Sequence, residues 1–423
     1  MNNNESQFFF FTVCLPRFAD DFKAVPNHLV QHNYRATVYS PDADAGESAD
    51  AVRPSYRRDD LLEIAQSGFD SRVEHEQLPL HRDKLTPMSL FRTMRQSWKL
   101  GRQNPNATFV MWTIIPILFV GLPLRLLGRR CVFMKTGMGS VFGSNTFKVR
   151  TARFFVKMFY RYLFSGKNSR AITHNHEDKQ YISEVLGMPL HHIMATRGCG
   201  VEPEEFPRQP LPEPRDAKVI LVPARLLVEK GILEAIEASS LLSQRGVAHE
   251  MWLSNDVDPG NPSSLTAKQL ADFCQENPAL KVLGFQPKVL PLFSQCDLVL
   301  VPSQYREGLP TALIEASATG RPVVTTNNYG GRDIIFHEKT GQMVETGDAV
   351  GMADCLERYI TDPMFAARMA ENAYQQFLSG YTKKHMLQRT LEVFQSLNIP
   401  VPDTDIAEAA NDQQDQMEYR RAA

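Results

Sequence analysis

Leu298-Val-Leu-Val301, Pro302-Ser-Gln-Tyr-Arg-Glu-Gly-Leu-Pro310 and Thr311-Ala-Leu-Ile-Glu-Ala-Ser-Ala318 follow one another without interruption, and their order decides the fold. The first segment is an apolar run of strand length, the second is a loop bounded by prolines, and the third is rich in helix formers. A buried strand that feeds a helix through a short loop is the repeating unit of parallel α/β architecture. Working outward, the same unit recurs. Strands are expected at Val219–Val222, Glu250–Leu253, Lys281–Leu283 and Pro322–Thr325, with helices at Ile232–Leu242, Thr266–Gln275, Val289–Gln295 and from Met352 to Leu397.

The first half alternates in the same way. Strands are expected at Phe8–Leu15, Arg35–Tyr39, Phe109–Trp112, Arg130–Met134 and Ala171–Thr173, with helices at Phe22–His32 and Glu177–Leu186. Pro87–Gly101 carries Leu90, Met94 and Trp98 at helical spacing. Five prolines between Pro203 and Pro214 have the composition of a linker. The chain of 423 residues thus reads as α/β with two units. We expect an N-terminal domain over 1–206, a second over 207–385, a helix over 386–402 packing back toward the first, and a flexible tail over 403–423.

Composition narrows the class. Hydrophobic residues at 43% and charged residues at 22% are ordinary for a globular protein. Six scattered cysteines with no C-x-x-C pair argue against a zinc ribbon or a secreted disulfide framework. Phe8–Leu15 lacks the positive flank of a signal peptide. Phe109–Leu127 has the length of a membrane span but holds Pro116, Gly121, Pro123 and Arg125, so it parses as strand, turn and helix. The net charge is −2, yet the window from His81 to Arg170 has seventeen Lys and Arg against Asp83 alone, a local +16 that leaves −18 elsewhere. Such asymmetry points to an anionic partner, and the aromatic residues interleaved at 154–164 favour an anionic membrane surface over nucleic acid.

The chemistry concentrates at strand ends of the second half. Ligands of open α/β sheets lie beyond the carboxyl ends of the strands. Gly308 permits close backbone approach, and the helix start at Thr311 favours a phosphate. Glu307 and Glu315 suit hydrogen bonds from hydroxyls, as on a ribose and a hexose. Arg225 and Lys230 flank the loop after Val222, where two cations could hold a diphosphate. Gly284, Phe285 and Gln286, at a third strand end, could receive a base.

These residues also carry a resemblance. Arg225-x4-Lys230-Gly231, the Gly284 strand end, Leu300-Val-Pro-Ser303, Glu307-Gly-Leu-Pro310-x4-Glu315-Ala and Gly320-Arg-Pro-Val-Val324 followed by Gly330-Gly331 resemble the donor domain of family 4 glycosyltransferases over Val219 to Leu397. The resemblance implies the GT-B fold, two Rossmann-like domains with parallel sheets facing a central cleft. More loosely, Leu78-Pro-Leu-x-Arg82, Thr113-x2-Pro116, Gly137-Met-Gly139-x2-Phe142, Asn175-x2-Asp178 and Gly198-x-Gly-Val201-x4-Phe206 resemble the branch that builds lipid-linked surface polysaccharides such as O-antigen, capsule and exopolysaccharide. Val110 and Ile115 replace His and Lys of relatives around the Thr-x2-Pro segment, and Leu15–Asp21 lacks the glycines often found there.

Carried over, the resemblance implies a retaining, metal-independent transfer of a hexose or N-acetylhexosamine from a nucleotide-sugar, most commonly UDP-linked. Glu307, Arg225 and Lys230 would be catalytic, and Glu315, Gly308, Leu309, Pro310, Gly284, Phe285 and Gln286 would bind the donor. Gly137, Gly139, Arg82 and Thr113 would face a polyprenyl-diphosphate-linked saccharide acceptor. No cofactor, no metal and no nucleic acid are expected, and the place of action would be peripheral, at the cytoplasmic face of the membrane. A nucleotide-sugar epimerase of the same fold and a non-catalytic nucleotide-sugar-binding protein are the alternatives. Asp256-Val-Asp258 matches a metal-binding triplet but lies in a Pro/Gly loop, and His174-Asn-His176 reads as ordinary residues at a strand end.

Overall fold

Alternate residues of the apolar strands face opposite layers, so each sheet is covered on both sides. The computed structural model describes residues 6–41, 68–80, 85–135, 157–286 and 288–404. Contacts divide the chain into two units, Met1–Cys199 with the return segment from Lys383, and Gly200–Thr382.

In the first unit, strands β1 (Gln7–Phe11), β2 (Arg35–Ser40), β3 (Glu74–Gln77), β4 (Thr108–Trp112), β5 (Arg130–Lys135), β6 (Ser169–Thr173) and β7 (Ile193–Ala195) form one parallel sheet in the order β3-β2-β1-β4-β5-β6-β7. Phe8 and Phe10 of β1 pack with Val38, Val110 and Val132 on one face. Phe9 and Phe11 pack with Phe109, Met111 and Phe133 on the other. Helices α1 (Leu15–Phe22), α2 (Ala24–Gln31), α3 (Pro87–Gln103), α4 (Ile114–Phe119), α5 (Gly121–Leu126) and α6 (His176–Leu186) connect the strands. The expected helix Phe22–His32 is α2, and the expected loop Leu15–Asp21 is instead the helix α1, which meets α2 at Lys23. The return helix Lys383–Gln395 places Met386, Leu391 and Phe394 in the core beside Phe8.

In the second unit, β8 (Lys218–Val222), β9 (His249–Leu253), β10 (Leu280–Val282), β11 (Leu298–Val301), β12 (Val323–Thr326) and β13 (Gln342–Val344) are parallel in the order β10-β9-β8-β11-β12-β13. Counted within the unit this is 3-2-1-4-5-6, the order of dinucleotide-binding sheets, which reverses direction between β8 and β11. Helices α7 (Ile232–Gln244), α8 (Ala267–Glu276), α9 (Leu290–Gln295), α10 (Thr311–Ala318), α11 (Ala349–Thr361) and α12 (Pro363–Gly380) cover it. The proline-rich segment packs on this unit rather than standing apart from it. Arg321, fully buried, donates to the carbonyl of Pro210 at 2.7 Å, and the Gln209 amide donates to Thr319 at 3.1 Å. The division therefore falls at Cys199/Gly200, a few residues ahead of the proline cluster.

Candidate active site

The reversal of strand order sets side by side the loops that leave β8 and β11, whose strands pair at Ile220–Leu298 and Leu221–Val299. Each loop carries one member of an ion pair. Lys230, in the short 3-10 turn before α7, places Nζ 2.8 Å from Glu307 Oε1, and each side chain is only 14% exposed. The Ser303 hydroxyl donates to the same carboxylate oxygen, and the Tyr305 ring lies with its centre 5.0 Å from Lys230 Nζ. A main-chain hydrogen bond from Gln304 N–H to Glu229 O, 3.0 Å long, joins the loops directly.

Gly231 makes this approach possible. Its φ is +73°, and a Cβ there would lie 1.9 Å from the Pro302 carbonyl oxygen, so no side chain fits. Behind the Glu307 loop, the segment after β12 gives a second support. Asn328, buried, donates to the Ser303 carbonyl at 3.0 Å, and Gly330 lies so close that a Cβ would meet Gly308 O at 2.8 Å. Tyr329 of that segment carries the Arg306 guanidinium 3.7 Å from its ring centre, with Arg332 at 5.3 Å.

The other residues expected to bind the donor lie on the Glu307 loop, on the helix after it and at neighbouring strand ends of the same sheet. Leu309 and Pro310 are buried where the loop enters α10, and Pro310 stands at the N-cap with no side-chain cap, so main-chain amides and the helix dipole face the loop. Glu315 lies half-buried in the next turn of α10. Arg225 is exposed in the β8 loop, and among the described residues no ion pair engages it. Arg225 and Lys230, both expected at a diphosphate, are placed differently: Lys230 is joined to Glu307, and Arg225 lies at the surface. Sequence reasoning does not single out Asn328 or Tyr329, because neither spacing nor periodicity marks a residue whose task is to support a loop.

At the third strand end, Gly284 has φ +69°, and Asp256 accepts the Phe285 amide at 2.9 Å. Gln286 donates from Nε2 to Leu283 O at 2.7 Å. The first acid of the Asp256-Val-Asp258 triplet is therefore engaged in shaping the Gly284–Phe285 turn. Among the described residues no group of three or more His, Cys, Asp or Glu side chains is arranged to hold a metal.

In the first unit Arg82, Gly137 and Gly139 lie outside the described residues. Thr113 follows β4, where that sheet also reverses order between β1 and β4. Its φ of 73° with ψ of 173° is a conformation almost confined to glycine, and its cost of about 1–3 kcal/mol marks a position held by its surroundings. His174, at the end of β6, is buried, and burial with Arg17 nearby pushes its pKa down to about 4, so it stays neutral. Asn175 caps α6 by accepting the Asp178 amide at 2.7 Å. His174-Asn-His176 is therefore a buried strand end followed by a helix cap.

Residues 203–376 match the family described as glycosyl transferases group 1. The second unit is a group 1 glycosyltransferase domain. An amylovoran biosynthesis glycosyltransferase of Erwinia amylovora, AmsK, is 34% identical over 183 residues, 41% of this chain and 43% of the relative. The chain thus spans less than half of that relative's length. The N,N'-diacetylbacillosaminyl-diphospho-undecaprenol alpha-1,3-N-acetylgalactosaminyltransferase of Campylobacter jejuni is 24% identical over 269 residues, 61% of this chain and 68% of the relative. Among solved structures, a glycosyltransferase from Rickettsia africae superposes with a TM-score of 0.72 at 16% identity, covering 94% of this chain and 100% of the other. Alr3699/HepE of Anabaena, in complex with UDP-glucose, gives 0.66 at 17% identity over 92% and 99%. At these identities the likeness shows the fold alone, GT-B with two Rossmann-like units, each built on one parallel sheet.

Proposed function

We propose that this chain transfers a hexose or N-acetylhexosamine from a UDP-linked donor to a lipid-linked saccharide in surface polysaccharide biosynthesis, with retention at the anomeric carbon. The observation that carries the reading is the Lys230–Glu307 pair at the reversal point of the glycosyltransferase domain's sheet. It sets a cation for a leaving diphosphate beside a carboxylate for sugar hydroxyls. The Anabaena structure holds UDP-glucose, and the Campylobacter relative's name specifies a diphospho-undecaprenol acceptor; both support the substrate classes.

In this scheme Gly284, Phe285 and Gln286 receive the base, and Glu315 accepts hydrogen bonds from the ribose. Gly308, Leu309 and Pro310 lead the diphosphate to the start of α10. Arg225 and Lys230 neutralise the charge that builds on the leaving oxygen, which is electrostatic catalysis by side-chain cations. Glu307 fixes the sugar. The bond from the anomeric carbon to the diphosphate oxygen breaks as the acceptor oxygen bonds on the same face, and the acceptor's proton passes to the leaving phosphate. Thr113, with Arg82, Gly137 and Gly139, belongs to the acceptor side. The +16 window supports work at an anionic membrane face on the cytoplasmic side. No helix among the described residues is long and apolar enough to cross a membrane.

The test is UDP release from a panel of UDP-sugars with and without polyprenyl-diphosphate-linked saccharides extracted from membranes. Acceptor-dependent release is the expected result. Conversion of the donor with no acceptor would establish an epimerase instead, and UDP binding without turnover across the panel would establish a binding protein.

A further inference from the structure

Helix α3 is turned inside out. Its sequence, Pro87-Met-Ser-Leu-Phe-Arg-Thr-Met-Arg-Gln-Ser-Trp-Lys-Leu-Gly-Arg-Gln103, starts with a capping box between Thr86 and Ser89 and Pro87 at the first position, so the helix is locally well specified. A surface helix ordinarily buries its large apolar residues and exposes its small and polar ones. Here the buried positions are Thr93, Ser97 and Gly101, successive turns of one face. Their hydroxyls turn back onto the helix, Thr93 to Ser89 O at 2.9 Å and Ser97 to Thr93 O at 2.8 Å. Gly101 is packed against α5, where a Cβ would lie 2.8 Å from Leu124 Cδ2. Small residues let α3 lie close on its neighbour.

The opposite face carries the bulk. Phe91 is 62% exposed, Met88 57% and Trp98 41%. Arg92, Arg95, Lys99 and Arg102 are exposed too. At 100° per residue these seven positions fall within about 120° of arc, so they share one face. The helix holds no acid, and among the described residues none of these four cations enters an ion pair. On the neighbouring α5, Leu126 is 59% exposed, and the Arg125 guanidinium lies 5.2 Å from the centre of the Tyr162 ring. Beside Tyr162, Met158 and Phe159 are exposed.

Single exposed apolar residues are normal, but a stripe of large ones interleaved with cations and free of acids is the pattern of a helix lying in a lipid interface. Nucleic acid would use the cations without needing Phe91 and Met88. A protein groove would use the apolar residues without four like charges at the same face. An anionic bilayer uses both, because the aromatic and thioether groups enter the acyl boundary while the long basic side chains reach back to the head groups. We infer that α3 is the element that lies in the membrane interface, with Met88, Phe91 and Trp98 inserted and Arg92, Arg95, Lys99 and Arg102 meeting anionic head groups. This rests on the reading that the enzyme works at a membrane face.

Trp98 supplies its own probe. The full chain is mixed with phosphatidylglycerol vesicles or with phosphatidylcholine vesicles, and sedimentation and tryptophan emission are followed. Wild type should sediment with the anionic vesicles and show a blue shift that Trp98→Phe abolishes while sedimentation persists, since Trp112 is buried and Trp252 is half-buried in the other unit, donating to Glu250 at 2.9 Å. The double change Met88→Ser/Phe91→Ser should weaken partitioning about a hundredfold, and Arg95→Gln/Lys99→Gln about tenfold or more. All four positions are exposed, so folding is retained, and UDP binding should stay at the wild-type level. Wild type that sediments while the Ser variant sediments equally and Trp98 does not shift would overturn the role of α3 and leave the membrane reading standing. Wild type that binds no vesicle would overturn both. Equal binding to phosphatidylcholine would overturn the head-group assignment.

Discussion

Gly231 and Gly246 share a φ of +73° and lie in the same unit, yet the space around them differs completely. Nothing stands within 4 Å of a Cβ built on Gly246, whereas one built on Gly231 meets Pro302 O at 1.9 Å and Pro302 C at 2.7 Å. Gly246→Ala therefore measures the left-handed backbone cost alone, about 1 kcal/mol. Gly231→Ala carries that cost and a contact that must open by more than 1 Å before carbon and oxygen reach about 3.3 Å. Opening it pulls the β8 loop from the β11 loop, which strains the Gln304–Glu229 hydrogen bond and parts Lys230 from Glu307. We expect Gly231→Ala to lose about 2 kcal/mol more than Gly246→Ala in urea unfolding. Turnover should fall about a hundredfold in Gly231→Ala, the usual consequence of displacing catalytic groups by 1 Å, and stay near wild type in Gly246→Ala. Equal destabilisation of the two variants, or Gly231→Ala turnover within threefold of wild type, would refute the claim that this glycine assembles the site.

Three further outcomes follow from the same geometry. In a cycle of Lys230→Met, Glu307→Gln and the double variant, the coupling should be on the order of 1–3 kcal/mol, with every member losing at least a hundredfold in turnover; UDP should bind several-fold tighter to Glu307→Gln and weaker to Lys230→Met by calorimetry, and additive stabilities would sink the pairing. Asp256→Ala removes the acceptor for the Phe285 amide, so UDP affinity should fall roughly tenfold while chelators leave turnover unchanged; chelator sensitivity restored by magnesium would assign Asp256 to a metal instead. His174, held at about 4, binds fewer protons in the folded than in the unfolded chain between about pH 4 and 6.5, so its contribution is complete above that window and is lost as pH falls through it, on the order of 3 kcal/mol. His385, also pushed down to about 4, acts in the same sense and Asp21, raised by burial, in the opposite one, so the comparison is wild type against His174→Gln in urea at several pH values; parallel curves would remove His174 from the effect.

What the sequence made legible was whatever burial writes into a run of residues. Leu298–Val301 and Phe8–Phe11 are apolar on both faces because helices cover both, and their strands were readable for that reason. β3, Glu74-His-Glu-Gln77, was not, because an edge strand gains its order from Thr37–Ser40 beside it and needs no apolar side chains. β7 and β13 are three residues each, too short for a period to show. The helical spacing of Leu90, Met94 and Trp98 was real, but periodicity gives a stripe without saying which way it points. Tertiary packing buried Thr93, Ser97 and Gly101 and left Trp98 outside.

The site shows the same division between what a strand end advertises and what topology decides. Arg225 and Lys230 look alike in sequence, a cation at each end of one loop. Only the adjacency of β8 and β11 brings position 307 to one of them. That choice has an electrostatic consequence. Each side chain is 14% exposed, so the ammonium and the carboxylate have lost most of their water and meet each other in its place. On the proposed function, a diphosphate at the start of α10 would bring its own negative charge to Lys230, and the carboxylate would turn to accepting hydrogen bonds from the sugar. On the same proposal the donor would divide the pair, its phosphate taking the cation and its sugar taking the carboxylate. Arg225, exposed and without such a partner among the described ion pairs, has no comparable exchange to make, which is why Lys230 rather than Arg225 should couple nucleotide binding to the placement of the sugar.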